Sequence, residues 1–336
     1  MNGPVQSCGR SVKKTDRLKR MKRLWQTHTA ALSIRKESDM KKIAVLALLL
    51  LSACSWHAMS LRVVCITTIV GDVVAQVAGE ANALSVLLSV DADPHAFEPS
   101  PQDLIAIATA DILFLNGAGL ERDLESLVEN ATGTIVALSD GLDLLVQNEH
   151  DEYSEHHHEV DPHVWFDPTY VAAWVDRIAD ALSEQDPERA SEYRARADAY
   201  QAELSELDVW ITEQVRILAP EQRRLITDHA VFGYFAARYG FEQVGTVFPG
   251  LSSLTEPSAK EIAALEDTIA ALDVPAIFVG TTVNRALAER IAADTGARIV
   301  LLYTGSLSGP DGPAASYLDL IRYDVDAIVK GLSEAP

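Results

Sequence analysis

The sequence predicts an α/β protein of two lobes, each a parallel sheet flanked by helices, with one long helix bridging them. Short apolar runs alternate with helical patterns from residue 61 to 185, and a second series of this kind occupies residues 223–334. Such alternation is typical of parallel sheets with helices on their faces. Between the two series, residues 186–218 carry one uninterrupted helical pattern. A chain of 336 residues is long enough for two domains of ordinary size.

The first lobe, residues 61–185, is predicted from four apolar runs and three helical patterns. The segment S-P-Q-D at 100–103 is a strong helix start, because serine is a good N-cap, proline fits the first helical position and aspartate suits the positive helix end. Residues 148–160 interrupt the series, since they are acidic, rich in histidine and without apolar period, and they predict a mobile loop. The predicted strands are Leu61–Ile66, Leu84–Val90, Ile112–Leu115 and Thr134–Leu138, and the predicted helices are Ile69–Val77, the helix from Ser100, and Thr169–Ser183.

The long helix is predicted over residues 186–218, which begin with Asp-Pro-Glu and contain neither glycine nor a further proline. Apolar residues recur there at steps of three and four, at Tyr193, Ala197, Tyr200, Leu204, Leu207, Ile211, Val215 and Leu218. About 32 residues at ~1.5 Å each would span ~48 Å, which is more than the width of a small domain. The helix is therefore predicted to span two lobes or to form a coiled coil.

The second lobe, residues 223–334, repeats the alternation of strands and helices. A capping box at Ser258-Ala-Lys-Glu261 predicts one helix start. The predicted strands are Arg224–Thr227, Phe241–Phe248, Pro275–Val279 and Arg298–Tyr303, and the predicted helices are one ending at Tyr239, one from Ser258 to Leu272, Arg285–Thr295 and Ala314–Leu332.

The formal net charge is −21, and the charges are unevenly distributed. Residues 1–39 hold ten Lys or Arg and three Asp or Glu, which leaves 18 basic and 46 acidic residues in the remainder. The remainder of the chain is strongly acidic and repels phosphate backbones, which argues against general nucleic-acid binding. Its charge suits a protein that binds cations. The basic extension at 1–39 is expected to be a start-site artefact, a disordered extension or an unusually long n-region.

Residues 40–54 have the composition of a secretion signal. Two lysines follow Met40, and the apolar run Ile43–Leu51 is about half the ~20 residues that a membrane span needs. Leu51-Ser-Ala-Cys54 is similar to a bacterial lipobox, which predicts acylation of Cys54, whereas cleavage after Ser60 would release an unacylated chain. The protein is therefore expected in the periplasm, either free or anchored to the membrane through Cys54.

Three histidines lie in similar connections of the predicted fold. His95 and His229 follow strands, while His163 follows the acidic loop and precedes a helix. In open α/β sheets the connections at the carboxyl ends of strands face the ligand crevice, so these residues predict a site in the cleft between the lobes. Neutral imidazole suits Zn²⁺, which takes four tetrahedral ligands. Spacing alone does not exclude the alternative that the three histidines share no site and that each one forms hydrogen bonds within its own connection.

Segments around these histidines resemble the solute-binding proteins of zinc and manganese ABC transporters. They are D-P-H-A-F-E-P-S-P-Q-D at 93–103, D-P-H-V-W-F-D-P at 161–168 and D-H-A-V-F-G-Y-F at 228–235, and the resemblance extends over residues 61–331. It implies two similar lobes joined by a long helix. It also implies that one metal ion binds in the cleft and is delivered to a permease in the inner membrane.

The resemblance places the first, second and third metal ligands on His95, His163 and His229. A histidine at the third position resembles the zinc-specific members, whereas manganese members tend to have a carboxylate there. Three imidazoles also favour zinc over the harder Mn²⁺. Zn²⁺ is therefore the expected cargo, with Mn²⁺ as the alternative.

The fourth metal ligand is where the sequence departs from its relatives. Gly305 stands where many relatives have an aspartate, and Gly280 stands near a position that is often acidic. Asp311, six residues beyond Gly305 in a Gly/Pro-rich stretch, or a water molecule is expected to complete the site.

Four more histidines lie in the acidic loop, at His150, His156, His157 and His158. Similar loops in zinc members imply an auxiliary role, in which the loop collects zinc and passes it to the cleft. The alternative is a solvated, charged insertion.

Three alternatives to a zinc-binding transport protein are a manganese-specific or broad divalent-metal protein, an adhesin-like lipoprotein and a periplasmic zinc hydrolase. Three histidines and a water also make a catalytic zinc site. The chain contains no H-E-x-x-H, G-x-S-x-G or P-loop motif, so an enzyme is not expected. The expected form is a monomer whose partners are the permease and a candidate periplasmic metallochaperone.

Overall fold

Two four-stranded parallel sheets organise the chain in the computed structural model. The structure describes residues 60–80, 82–124, 128, 131–148 and 158–333. The basic extension, the secretion signal with Cys54, and the loop histidines His150, His156 and His157 lie outside these residues.

The first sheet has the strand order β2-β1-β3-β4, and all its pairs are parallel. Its inner strands β1 and β3 are rich in Val, Ile and Leu and buried on both faces, as expected where helices cover both sides. The strands are β1 (Arg62–Cys65), β2 (Ala83–Val86), β3 (Ile112–Leu115) and β4 (Thr134–Ala137), and the helices are α1 (Thr68–Ala78), α2 (Pro101–Thr109) and α3 (Pro168–Gln185).

The second sheet has the order β10-β9-β7-β8, also parallel throughout. The predicted capping box forms at Ser258, whose hydroxyl accepts from the Glu261 backbone N–H while the Glu261 carboxylate accepts from the Ser258 N–H. The strands are β7 (Arg224–Thr227), β8 (Glu242–Thr246), β9 (Ala276–Gly280) and β10 (Arg298–Leu302), and the helices are α5 (Gly233–Tyr239), α6 (Ala259–Leu272), α7 (Ala286–Thr295) and α8 (Tyr317–Ser333).

The long helix α4 spans Ala190–Val215 and follows a 3₁₀ turn at Pro187–Arg189. Its 26 residues measure ~39 Å. All eight apolar positions expected on one face are buried, from Tyr193 to Leu218. The helix contacts α1 and α3 of the first lobe and α8 of the second, and its buried face belongs to a core that includes residues of both lobes. The prediction that it spans two lobes, rather than forming a coiled coil, is confirmed.

A short antiparallel hairpin lies at the base of the acidic segment, where the sequence predicts only a loop. β5 (Val146–Asn148) pairs with β6 (His158–Val160). The alternation that marks a strand is too short in these three-residue elements to be recognised in the sequence. Because the hairpin leads directly into Asp161, it fixes where the His163 segment begins.

Within the part of the chain that the structure describes, none of the helices combines the length and apolar character needed to cross a bilayer.

Candidate metal centre

The three predicted histidines converge on one point in the cleft. His163 Nε2 lies 3.2 Å from His95 Nε2 and 3.3 Å from His229 Nε2. His163 and His229 are buried, and His95 is half-buried. Two of these side chains come from the first lobe and one from the second, so the site exists only where the lobes meet.

The two Asp-Pro-His segments of the first lobe make the same local hydrogen bond. Asp93 Oδ1 accepts the backbone N–H of His95, and Asp161 Oδ1 accepts that of His163, each at 2.9 Å. An aspartate that bonds the backbone two residues on is a common turn former, and the intervening proline restricts the chain further. The repeated Asp-Pro-His in the sequence therefore predicts the same bond in both segments, each of which carries one of the imidazoles.

The ring of His163 is oriented by a carboxylate, and so is that of His229. Asp161 Oδ1 lies 2.8 Å from His163 Nδ1, and Asp228 Oδ1 lies 2.6 Å from His229 Nδ1. An ionised carboxylate only accepts hydrogen bonds, so each Nδ1 must carry the proton, which leaves the Nε2 lone pair for an ion. Asp228 is itself held by the Gly280 backbone N–H, at 2.5 Å from Oδ2.

The spacing of the nitrogens matches one shared ion. An ion ~2.0–2.1 Å from each nitrogen in tetrahedral geometry places the nitrogens roughly 3.4 Å apart. Two nitrogen lone pairs repel at this distance unless a cation or a proton lies between them. The arrangement therefore suits a divalent ion bound by all three Nε2 atoms.

Burial keeps the imidazoles of His95 and His163 neutral, as metal ligands must be. Desolvation, followed by the neighbouring histidines, lowers the pKa of His95 to about 3. The pKa of His163 is likewise well below its ordinary value, with burial as the main cause. Burial has the opposite effect on a carboxyl group, and it raises the pKa of Asp161 to about 7.

A second set of residues, which sequence reasoning missed, holds the His163 segment in place. Both carboxylate oxygens of the buried Glu121 accept backbone N–H groups, from Asn116 at 2.7 Å and Gly117 at 3.0 Å. The Asn116 side chain then donates to the carbonyl of Pro162 at 3.0 Å. No spacing rule connects these residues with His163, because the contact depends on tertiary structure.

The lobes are also joined beside the histidines. Trp165, whose ring packs against that of His163, donates from Nε1 to the carbonyl of Thr304 at 3.2 Å. The Tyr234 hydroxyl of α5 donates to the carbonyl of Asp161 at 2.9 Å. Both bonds tie the second His segment of the first lobe to the second lobe.

The expected fourth ligand does not join this group. Among the described residues, the three histidines alone form a set of ligand atoms within 4.8 Å of one another, and Asp311 is exposed. A side chain at Gly305 would begin 2.7 Å from Pro94 Cδ, and one at Gly280 would collide with the Thr304 hydroxyl. The two glycines therefore allow close packing at these two positions.

The loop histidines are not brought to the site within the described residues. Of the four, only the backbone of His158 is described, where it begins β6. The collecting role of this loop stays a prediction.

Comparison with known proteins agrees with the fold and with a metal-binding role. The family described as zinc-uptake complex component A, periplasmic, matches residues 63–331. The manganese-binding lipoprotein MntA of Halalkalibacterium halodurans is 36% identical over 276 residues, covering 82% of this chain and 89% of the relative. The iron-binding protein YfeA of Yersinia pestis is 30% identical over 275 residues, covering 81% and 86%.

Solved structures show the same architecture. The periplasmic zinc-binding protein TroA from Treponema pallidum superposes with a TM-score of 0.74 at 26% identity, covering 82% of this chain and all of that one. A manganese-bound periplasmic metal-binding protein from Candidatus Liberibacter asiaticus (S38A mutant) gives 0.72 at 28% identity, covering 80% and 98%. The protein is therefore no enzyme: it belongs to the zinc-uptake component A family, the metal-binding solute-binding proteins of ABC transporters.

Proposed function

We propose that this protein captures a divalent transition-metal ion outside the cytoplasm and delivers it to an ABC permease for import. The observation that carries the proposal is the convergence of three imidazole nitrogens, 3.2 and 3.3 Å apart, from two lobes. An ion at this point contacts both lobes at once, so binding stabilises their approach. His95, His163 and His229 are the proposed ligands.

We propose a site of broad divalent-metal specificity, rather than the zinc-specific site expected from His229. MntA and YfeA, at 36% and 30% identity, are named for manganese and iron, while the zinc protein TroA is 26% identical. These names favour the manganese or broad alternative over zinc alone. Imidazole suits zinc and iron alike, and metal availability commonly decides which ion such a site holds.

Metal titration of the mature chain tests this proposal. We expect one ion per chain, with Zn²⁺ bound more tightly than Mn²⁺ by on the order of a hundredfold, following the general order of divalent affinities. Both should bind in competition assays against a chromogenic chelator. Saturation with Zn²⁺ but none with Mn²⁺ would restore the zinc-specific alternative, and no saturable binding of either ion would refute metal capture.

We propose that the chain acts as a monomer beside its permease, with a metallochaperone as a further candidate partner. MntA is named a lipoprotein, as is SsaB of Streptococcus sanguinis at 27% identity. These names support acylation at Cys54 and a membrane-anchored protein outside the cytoplasm. A soluble periplasmic form is the alternative.

The acidic loop is proposed to collect metal without forming the tight site. Deletion of residues 149–157, between β5 and β6, should leave the stoichiometry and dissociation constant of the tight site unchanged within about twofold, because the three converging histidines lie outside the loop. The weaker metal-binding sites that the loop supplies should be absent from the same titration. Loss of the tight site on deletion would contradict the assignment, provided that the deletion variant unfolds at the wild-type temperature.

A further inference from the structure

Among the described residues, no fourth His, Cys, Asp or Glu joins the three histidines at the point where a divalent metal would bind. Zn²⁺ takes four ligands, and harder ions such as Mn²⁺ prefer more oxygen atoms. The described residues offer a set of three histidines at this point. The glycines at 280 and 305 are packed against Thr304 and Pro94, so the protein does not fill the gap from that side.

A cavity of about 140 Å³ lies next to the half-buried histidine. Its wall is built by both lobes, and it includes His95, Gly119, Arg122, Pro162, Leu251 and Leu254. A volume of this size holds several water molecules or one small organic acid. The cavity thus supplies room for a donor that comes from solution together with the ion.

The lining of this cavity favours a small anion with a short carbon skeleton. The Arg122 side chain folds over the turn at Gly119, where a side chain would begin 3.5 Å from Arg122 Nη2. Ala118 and Gly119 have φ values of 53° and 84°, so this turn adopts a left-handed backbone beside the cavity. The lining also includes the apolar side chains of Leu251 and Leu254, and Leu254 is 60% exposed.

We propose that the ion binds together with a small aliphatic di- or tricarboxylate that occupies this cavity. One carboxylate oxygen would complete the coordination of the ion beside His95, and a second carboxylate would face Arg122, since guanidinium groups match carboxylates well. The inference rests on the proposed function, because it requires the three histidines to hold a metal. It makes the cargo a metal–carboxylate complex rather than a bare ion.

The test is metal affinity at a fixed activity of free metal, with and without a carboxylate. In Zn²⁺ or Mn²⁺ buffers matched for free metal, 1 mM malate or citrate should lower the apparent dissociation constant by about tenfold, whereas acetate should have little effect. Isotopically labelled malate should be retained at one per chain, in the presence of metal only. One bound metal with no malate retained, and an affinity unchanged by malate and citrate, would overturn the inference and leave water as the fourth ligand. Absence of metal binding under all conditions would instead refute the proposed function.

Two variants localise the carboxylate. Arg122→Gln should reduce the ratio of affinities with and without malate to about one, while the matched surface variant Arg290→Gln should keep the wild-type ratio. Leu254→Trp enlarges a side chain that lines the cavity, so it should also reduce malate retention without a change of charge. Undiminished retention of malate in both the Arg122 and Leu254 variants would show that it binds elsewhere, which overturns the assignment.

Discussion

Replacing His163 by alanine is expected to abolish tight metal binding. His163 Nε2 is the central donor, since it lies 3.2 Å from His95 Nε2 and 3.3 Å from His229 Nε2. Without it, two nitrogens remain. We expect a loss of at least about a thousandfold, more than the 10–100-fold that removal of a ligand's hydrogen-bond partner costs. Competition with a chromogenic chelator measures the loss directly.

The same variant should also lose its thermal response to metal. Ligands that bind only the folded state raise its free energy of unfolding, by about 2.7 kcal/mol at a hundred times the dissociation constant. The wild-type melting temperature should therefore rise with Zn²⁺, and that of His163→Ala should not. His163→Gln serves as a second variant, because its amide can still meet Asp161 if the alanine variant is unstable. His157→Ala, in the acidic loop, is the matched control and should keep wild-type affinity. Wild-type affinity in both His163 variants would refute the three-histidine site.

The arrangement of lobes was predictable because its signals are local. Each short apolar run and each capping box, such as that at Ser258, depends on neighbouring residues. The apolar residues from Tyr193 to Val215 specify which face of α4 is buried. The β5–β6 hairpin was not predicted, because three residues a strand carry too short a pattern. Where the chain has long periodic segments, sequence and structure agree.

The site was only partly predictable from the sequence, because the residues that hold the histidines in place are brought together by tertiary structure. The places of the three histidines in the predicted fold left open whether they act together, and the resemblance to metal-binding solute-binding proteins made them the expected ligands. The contact from Glu121 through Asn116 to Pro162 could not, since a distance of 46 residues separates the last two in sequence. The zinc preference rested on the histidine at the third position and on the set of three imidazoles. Because the relatives MntA and YfeA are named for manganese and iron, the identity of the ion stays a prediction.

Asp161→Asn is expected to weaken metal binding by about 10–100-fold at pH 8. The Asp161 carboxylate lies 2.8 Å from His163 Nδ1 and fixes the proton there, which keeps Nε2 free for the ion. An amide removes the negative charge that offsets the charge of the ion, and its NH₂ group can bond to Nδ1 and favour the wrong tautomer. Isothermal titration with Zn²⁺ measures the change in affinity.

The pH dependence of metal binding should identify the same carboxyl group. Burial raises the pKa of Asp161 to about 7, so below that pH the metal-free site holds a proton that the metal-loaded site must release. Affinity should therefore rise with pH, by about tenfold per unit below pH 7, and level off above it. His95 adds no slope in this range, because its pKa is lowered to about 3 and it is already neutral. An imidazole with an ordinary pKa near 6.5 would add about another tenfold per unit below pH 6.5.

The Asp161→Asn variant should flatten this pH profile, because the titrating group is gone. Asp93→Asn is the matched control: Asp93 occupies the same place in the other Asp-Pro-His turn, but its Oδ1 bonds the backbone N–H of His95. The control should keep the wild-type slope. Proton release, counted by titration in buffers of different ionisation enthalpy, should fall from about one to near zero at pH 6 in Asp161→Asn alone. An unchanged slope in that variant would mean that another group carries the proton, and that the Asp161–His163 pair does not prepare Nε2 for the ion.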